Sequence, residues 1–309
     1  SERILLTGHE RPDGDCLGSQ AALARVLNAR GQSAFVLNPD APEARYGEVT
    51  ELAEFLVDDG GAIPDHDLVV MLDGGDLTRT GHLSERLEAA PSQKLVVDHH
   101  LHEGDEWWDR AFIDTTASAT GVLVRRIAGH LGAEIDAGIA RAIFTTLVTD
   151  TGGFKYSNTD EETMLIGAEM LGAGVRPAQV YSDLFQRQEP EHPRSLAAAL
   201  TRTAYFADGA IAVIDLPLGP DGRSSAADGD VALDIIRSVE QVEVALIVRE
   251  IGASRTKLSA RSKGAFNVQK LAHRFGGGGH AKAAGATIEQ PLTHARLDPV
   301  EAAVEQLAG

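Results

Sequence analysis

The stretch Arg3-Ile4-Leu5-Leu6-Thr7-Gly8-His9-Glu10-Arg11-Pro12-Asp13-Gly14-Asp15 decides how the chain is read. Its first five residues form a short apolar run, the signature of a buried strand. A polar loop with Gly and Pro follows, and then an Ala/Leu-rich helix from about Leu17 to Ala29. Strand, loop and helix in this order open a parallel α/β sheet, whose chemistry gathers in loops at the carboxyl ends of strands. This loop carries His9, Asp13 and Asp15.

Outward from it the pattern repeats. Ser33–Leu37, Asp67–Leu72 and Lys94–Val97 read as strands, with helical patterns near Glu51–Leu56 and Leu83–Ala89. Short apolar strands separated by helices predict a parallel sheet with helices on both faces. From Ser118 to Leu200 the spacing is mostly helical, over Thr120–His130, Ala137–Val148, Glu161–Leu171 and Pro177–Phe185. The polar stretch Gln186–Pro193, with two prolines, predicts a boundary. Strands return at Ile211–Ile214, Val242–Arg249 and Lys257–Ala260. A helix near Val268–Arg274 then meets Gly276-Gly277-Gly278-Gly279-His280, and Val300–Leu307 reads as helical.

Composition bounds the function. With 309 residues, 43% hydrophobic and 24% charged, the chain suits a soluble globular protein with a sizeable core. Its single cysteine, Cys16, excludes an intrachain disulfide and fits a reducing compartment. No run approaches the roughly 20 apolar residues of a membrane span, and no signal-peptide pattern precedes Ile4, so a cytoplasmic location is expected. The net charge of −18 argues against a binder of long duplexes. Yet Val244–Ala283 holds eight basic residues (Arg249, Arg255, Lys257, Arg261, Lys263, Lys270, Arg274 and Lys282) and one acid, Glu250. A local basic surface on an acidic body suits a small anionic ligand.

Hard-ligand residues recur at element ends: His9, Asp13 and Asp15 after the first strand, Asp73-Gly74-Gly75-Asp76 after the third, Asp98-His99-His100 after the fourth, and Asp150 after a helix. Singly, each has an ordinary reading as a turn, a cap or a packing residue. Together they are unfavourable without a counter-charge, because clustered carboxylates repel and lose hydration. Divalent cations supply that charge. Imidazole and carboxylate without thiolate point to Mn, Mg, Zn, Fe or Co, and two such ions suit attack at phosphorus.

His9…Asp13-Gly14-Asp15, Asp73, Asp98-His99-His100 and Asp150 resemble, in order, the four motifs of the DHH phosphoesterases, a family that includes RecJ-like nucleases. Gly276–His280 followed by Ala283-Ala284-Gly285 resembles the glycine-rich motif of the DHH-associated C-terminal domain. The resemblance implies a catalytic DHH domain over 1–187, a linker over 188–203 and a smaller α/β substrate-binding domain with a mixed sheet over 204–309. It implies two divalent cations, Mn²⁺ first among them. His9 and Asp13 would hold the first, Asp15, His99 and Asp150 the second, with Asp73 bridging both. Asp98 would orient His99 or His100, and His100 would face the phosphate. Arg261, Ser262, His280 and the amides of Gly276, Gly277, Gly278 and Gly279 would grip a phosphate or nucleotide. Glu103 stands where many relatives carry Asn. Asp76 reads as a cap or an outlying support, and Trp107-Trp108 as a hydrophobic plug.

The implied activity is hydrolysis of short oligonucleotides to mononucleotides, with 3′-phosphoadenosine 5′-phosphate (pAp) as a further substrate, in a stand-alone enzyme that forms a homodimer. The same site suits cyclic or linear dinucleotides. Exopolyphosphatase or pyrophosphatase activity and non-catalytic nucleotide binding are the other readings. The glycine run argues against a pyrophosphatase, and the intact ligand set argues against loss of catalysis.

Overall fold

Alternation along β1 (Arg3–Thr7) sends Ile4 and Leu6 to one face of a sheet and Leu5 to the other. All three are buried, as expected of a strand covered on both sides. The computed structural model describes residues 1–102, 104–222, 225 and 229–308, so Glu103 lies outside the described residues. The chain divides into two units, Ser1–Arg187 and Gln188–Gly309.

In the first unit β1 is followed by α1 (Gly14–Ala29), β2 (Ser33–Asn38), α2 (Gly47–Thr50), β3 (Phe55–Val57), β4 (Leu68–Leu72), α3 (Ser84–Ala89), β5 (Gln93–Asp98) and β6 (Arg110–Ile113). Four helices follow: α4 (Thr120–His130), α5 (Ala137–Asp150), α6 (Glu161–Gly172) and α7 (Pro177–Phe185). The sheet order is β3-β2-β1-β4-β5-β6 and every pairing is parallel. The chain builds outward from β1 on one side and then crosses back to start β4 on the other. The resulting crevice beyond β1 and β4 is the switch point where open parallel sheets bind ligands.

One face is packed by α1, α4 and α5 through Leu17, Val26, Leu123 and Ile143. The other is closed by Leu77, Leu83, Leu87 and Trp107. Helices α1 and α5 approach closely because α1 presents glycines. A Cβ on Gly18 would lie 2.7 Å from the Ala142 carbonyl oxygen, and one on Gly14 would lie 2.3 Å from Thr149 Cγ2. This approach brings the start of α1 beside the end of α5.

The second unit runs α8 (His192–Leu200), β7 (Thr203–Phe206), β8 (Ile211–Leu216), α9 (Gly229–Arg237), β9 (Val244–Gly252), β10 (Arg255–Ser262), α10 (Val268–His273), β11 (Gly278–His280), β12 (Ala283–Ile288), α11 (Leu292–Ala295) and α12 (Asp298–Ala308). Its sheet, β11-β12-β10-β9-β8-β7, is mixed: β8 and β9 pair in parallel and the other pairs are antiparallel. Ala232, Leu233 and Ile236 of α9 cover part of one face, while Leu271, Ala295 and Val300 help cover the other.

The expected α/β class holds in both units. The helix expected over Glu51–Leu56 gives way to β3, because Phe55 and Leu56 pair with Val36 and Leu37 of β2. The stretch expected as a linker contains α8, whose Leu196, Ala199 and Leu200 pack in the second unit.

Candidate metal centre

Three strand ends of the first unit deliver the site. His9 follows β1, Asp73 follows β4, and β5 ends on Asp98 before His99 and His100. Helix α1 contributes Asp13 as its N-cap and Asp15 in its first turn, and α5 ends on Asp150. Asp13 Oδ1 accepts the amides of Asp15 and Cys16 at 3.0 and 3.1 Å, which fixes the start of the helix.

The side chains converge on Asp73. Its Oδ2 lies 3.4 Å from His9 Nε2, which is also 4.0 Å from Asp13 Oδ1. Its Oδ1 lies 3.6 Å from His99 Nε2, which is in turn 3.5 Å from Asp15 Oδ2 and 3.6 Å from Asp150 Oδ2. Two imidazole–carboxylate sets therefore share one carboxylate. Donor atoms about 2.1 Å from a common cation stand about 3.0–3.5 Å apart, so these separations suit coordination.

The histidine tautomers point the same way. His9 Nδ1 lies 2.8 Å from the Glu10 carbonyl oxygen and His99 Nδ1 3.1 Å from that of Ala117. A carbonyl only accepts, so each Nδ1 carries a hydrogen and each ring turns its Nε2 toward carboxylates. Lone pairs facing carboxylate oxygens repel unless a proton or a metal ion lies between them.

The electrostatics record this tension. Burial pushes the Asp15 carboxyl well above its usual range, and the charges of Asp73, Asp150 and Asp13 add to the rise, against the Thr120 amide. Asp73 behaves in the opposite way. Burial alone would raise it, but the hydrogen bond with His9 and the neighbouring His100, His9 and His99 hold it far below its usual range. Burial opposes charge on His9, yet Asp73 and Asp13 outweigh it and raise that imidazole. Asp73 also has φ +61°, a left-handed conformation that costs a non-glycine residue about 1–3 kcal/mol.

Asp98 is buried. Its Oδ1 accepts the amides of His99 and His100 at 2.8 and 3.1 Å and lies 2.8 Å from His100 Nδ1. Its Oδ2 has no hydrogen-bond partner among the described residues. Asp98 thus orients His100, while His99 is oriented by the Ala117 carbonyl.

Thr120 was not anticipated. Its hydroxyl lies 3.2 Å from Asp73 Oδ1, and its amide and that of Gly121 donate to the two oxygens of Asp15 at 2.7 and 3.1 Å. The available signal was Ala119, a residue without a capping side chain at the start of a helix. Cys16 lies beside the site: it, His9 and Asp73 each place a possible ligand atom within 4.8 Å of the others. Burial and the nearby charges of Asp73 and Asp13 push the Cys16 thiol well up, so it is a neutral packing group here. Asp76 accepts from the amide and hydroxyl of Thr78 and is a cap. Trp107 packs into the lower core, with its Nε1 donating to the Gly75 carbonyl at 2.8 Å.

In the second unit Arg261 (β10), Ala283 (β12) and His280 (β11) share one row of the sheet. Arg261 Nη2 meets Asp230 at 2.7 Å. The expected grip by Ser262 and by all four glycine amides is not what these residues show. Ser262 is buried and donates its hydroxyl to the Phe266 carbonyl at 2.8 Å. The amides of Gly276 and Gly277 donate to the His273 and Ala272 carbonyls, closing the end of α10. Gly278 and Gly279 belong to β11, and a Cβ on Gly279 would lie 2.6 Å from the Ala283 carbonyl oxygen. The glycines let this edge strand turn and approach β12.

Residues 3–149 match the model of the DHH family N-terminal domain, and residues 212–308 match that of the DHHA1 domain. The chain is similar to the bifunctional oligoribonuclease and PAP phosphatase NrnA of Thermus thermophilus, at 31% identity over 93% of this chain and 84% of that protein. An exopolyphosphatase-related protein from Bacteroides fragilis has a similar structure, with a TM-score of 0.86 and 27% identity over 98% of this chain and 92% of that one. RecJ from Thermus thermophilus, crystallised in complex with Mn²⁺, shares the fold with a TM-score of 0.54 and 16% identity, over 98% of this chain and 52% of RecJ.

Proposed function

Because the chain belongs to the DHH family of phosphoesterases, we propose that it is a metal-dependent hydrolase that cleaves short oligonucleotides to mononucleotides and removes the 3′-phosphate of pAp. The observation that carries this reading is the position of Asp73, whose two oxygens face two separate imidazole–carboxylate sets.

Two divalent cations fit the donor set. His9, Asp13 and Asp73 would hold one, and Asp15, Asp73, His99 and Asp150 would hold the other. With both imidazoles neutral, the four carboxylates carry four negative charges, which two divalent cations balance. Mn²⁺ is the proposed ion, since each set includes an imidazole nitrogen and Mg²⁺ favours all-oxygen octahedra. When bound, such cations supply Lewis-acid charge at the phosphoryl oxygens and make a water acidic enough to attack at neutral pH.

The chain's own groups do the rest. Asp98 accepts from the Nδ1–H of His100 and so orients the ring; when the ring also carries a proton on Nε2, that N–H can donate to a phosphoryl oxygen or pass its proton to the departing one, leaving the neutral Nδ1–H ring. Burial of Asp15, Asp73 and His99 limits competing water and strengthens each charge interaction. Arg261 and His280 of the second unit hold a further phosphate.

The test is to incubate the purified protein with Mn²⁺ or Mg²⁺ and labelled di- to pentanucleotides, pAp, a cyclic dinucleotide and pyrophosphate. Mononucleotide release from the linear oligonucleotides and phosphate release from pAp, both lost in Asp73→Ala, are expected. Faster release from pyrophosphate or from the cyclic dinucleotide would replace the substrate assignment. Absence of any turnover with either ion would remove the hydrolase reading.

A further inference from the structure

The turn between β4 and α3 carries a cation that the site described above does not use. The backbone of Arg79 is fixed on both sides. Its amide donates to the Asp76 carbonyl at 3.1 Å, and its carbonyl accepts the Glu10 amide at 2.7 Å. Asp76 caps the turn through Thr78, and Leu77, Thr80 and Leu83 around it are buried. The side chain of Arg79 supplies none of these contacts.

The guanidinium has a different setting. Arg79 is half-buried. A Cβ on Gly74, the residue after Asp73, would lie 3.5 Å from Arg79 Nη1 and 3.8 Å from its Cδ, so the side chain folds back along the loop that leaves Asp73. Burial and the Arg79 charge both oppose protonation of His9. Yet among the described residues the guanidinium makes no hydrogen bond and no ion pair. Glu10 does not take it, because a Cβ on Gly81 would lie 2.3 Å from Glu10 Oε1, which puts that carboxylate over Gly81. The carboxylates of the metal centre face elsewhere. Asp13, Asp15, Asp73 and Asp150 meet His9 or His99, and Asp98 meets His100.

Holding a guanidinium partly out of water without a partner is unfavourable. The group gains most from an anion that offers oxygens to its fork of N–H donors, and phosphate does so. Two divalent cations would neutralise the four carboxylates that face the imidazoles, leaving the Arg79 charge for an arriving anion. We propose that Arg79 is a substrate-contacting residue of the metal centre, donating from its guanidinium to a non-bridging oxygen of the phosphate bound there. The inference rests on the hydrolase reading above and adds to it a contact made within the first unit alone.

The experiment compares wild type, Arg79→Met, Arg79→Lys and the control Arg194→Met, whose exposed side chain lies on α8. Met keeps an unbranched stem over Gly74 and deletes the charge. Calorimetry follows Mn²⁺ into chelator-treated protein and then inorganic phosphate into the Mn²⁺-loaded protein, with a thermal melt to confirm folding. Loss of a positive charge beside the carboxylates should tighten Mn²⁺ binding in Arg79→Met, on the order of threefold. Loss of the charge-assisted contact should weaken phosphate binding about tenfold. Arg79→Lys keeps the charge without the fork, so Mn²⁺ binding stays at the wild-type value and phosphate binding falls only a few-fold. Arg194→Met matches wild type in both titrations. The opposite signs in Arg79→Met separate a phosphate contact from a general disturbance of the site. Phosphate affinity within about twofold of wild type in Arg79→Met overturns the assignment, as does a joint weakening of Mn²⁺ and phosphate. kcat/KM on a labelled dinucleotide should fall about tenfold in Arg79→Met as well. If the wild type cleaves nothing, the hydrolase reading fails, and the two titrations still decide the role of Arg79.

Discussion

Asp15 and Thr120 are separated by 105 positions in the chain, yet the carboxylate of the first caps the helix that the second begins, with Oδ2 accepting the Thr120 amide at 2.7 Å. The same threonine places its hydroxyl 3.2 Å from Asp73 Oδ1. One residue thus ties the Asp15 carboxylate to the Asp73 carboxylate, which both imidazole–carboxylate sets share. Thr120→Val keeps the shape and the amide and deletes the hydroxyl. It should change stability by no more than about 1 kcal/mol. It should raise the Mn²⁺ concentration for half-maximal activity about tenfold, the usual scale for losing a support behind a ligand. A metal titration alongside a thermal melt checks both, and an unchanged titration would leave Thr120 as a cap alone.

Asp15 also governs the stability of the metal-free protein. Its carboxyl is raised well above 3.8 by burial and by three neighbouring carboxylates. A raised folded value means that the contribution of the group is fully present below the unfolded value and is lost as pH rises through the folded one. Asp15→Asn removes the charge and keeps one acceptor for α4. Metal-free Asp15→Asn should therefore be more stable than wild type at pH 7, by about 1–3 kcal/mol, and the gain should shrink toward pH 3. Added Mn²⁺ should stabilise wild type far more than the variant, by mass action, and turnover should be lost. Melts at both pH values, with and without chelator, give the comparison. A variant less stable than wild type at pH 7 without metal would contradict it.

What could be read in advance followed local chemistry. Strand β1 and its loop were legible because an apolar run, a Gly/Pro loop and a helix follow one another without ambiguity. Asp150 stood out because an acid at a helix C-terminus opposes the helix dipole, and a broken local rule points to a ligand. Strands β3 and β6 were hidden for a different reason. Phe55–Val57 has only three residues beside a helical pattern, and Arg110–Ile113 is a largely exposed strand at the end of the sheet order, paired among the described residues with β5 alone. Neither carries a periodic signal, since their pairing is decided by the sheet. Strand β12 was masked by small residues, Ala283-Ala284-Gly285-Ala286, which carry little strand propensity. Thr120 became a neighbour of Asp15 and Asp73 only through folding, which no spacing rule encodes.

The approach of α1 to α5 is a separate point of control. Gly18 carries no side chain where a Cβ would lie 2.5 Å from Thr146 Cγ2 and 2.7 Å from the Ala142 carbonyl oxygen. Gly18→Ala should cost about 1–3 kcal/mol through overpacking. Because α1 carries Asp15 and α5 carries Asp150, it should also weaken Mn²⁺ binding. Thr146→Ala in the same chain should rescue only part of the loss, since the backbone carbonyl cannot be trimmed. Urea midpoints and Mn²⁺ calorimetry on wild type and the two variants measure both effects. Complete rescue by Thr146→Ala would show that the side chain alone sets the spacing.

Acid stability reports on the brace behind α4. Asp114, after β6, accepts from the Thr116 hydroxyl and amide and pairs with Arg126 of α4 at 2.6 Å, and Arg126 also meets Glu162 of α6. The hydrogen bonds from Thr116 and then Arg126 bring the Asp114 carboxyl from 3.8 down to about 2. A lowered folded value gives stability that is present above the unfolded value and is lost as pH falls through the folded one. The gross linkage is about 2 kcal/mol, at roughly 1.4 kcal/mol per unit. Solvent screening of these partly exposed groups reduces it to about 1 kcal/mol. Asp114→Asn should therefore be about 1 kcal/mol less stable than wild type at pH 7 and at pH 5, and the gap should close between pH 4 and pH 2. Urea unfolding across that range checks the window, and a gap that persists at pH 2 would assign the loss to packing. Since α4 begins with the amides that hold Asp15, the same variant at pH 7 should need more Mn²⁺ for half-maximal turnover, which couples a surface ion pair to the metal centre.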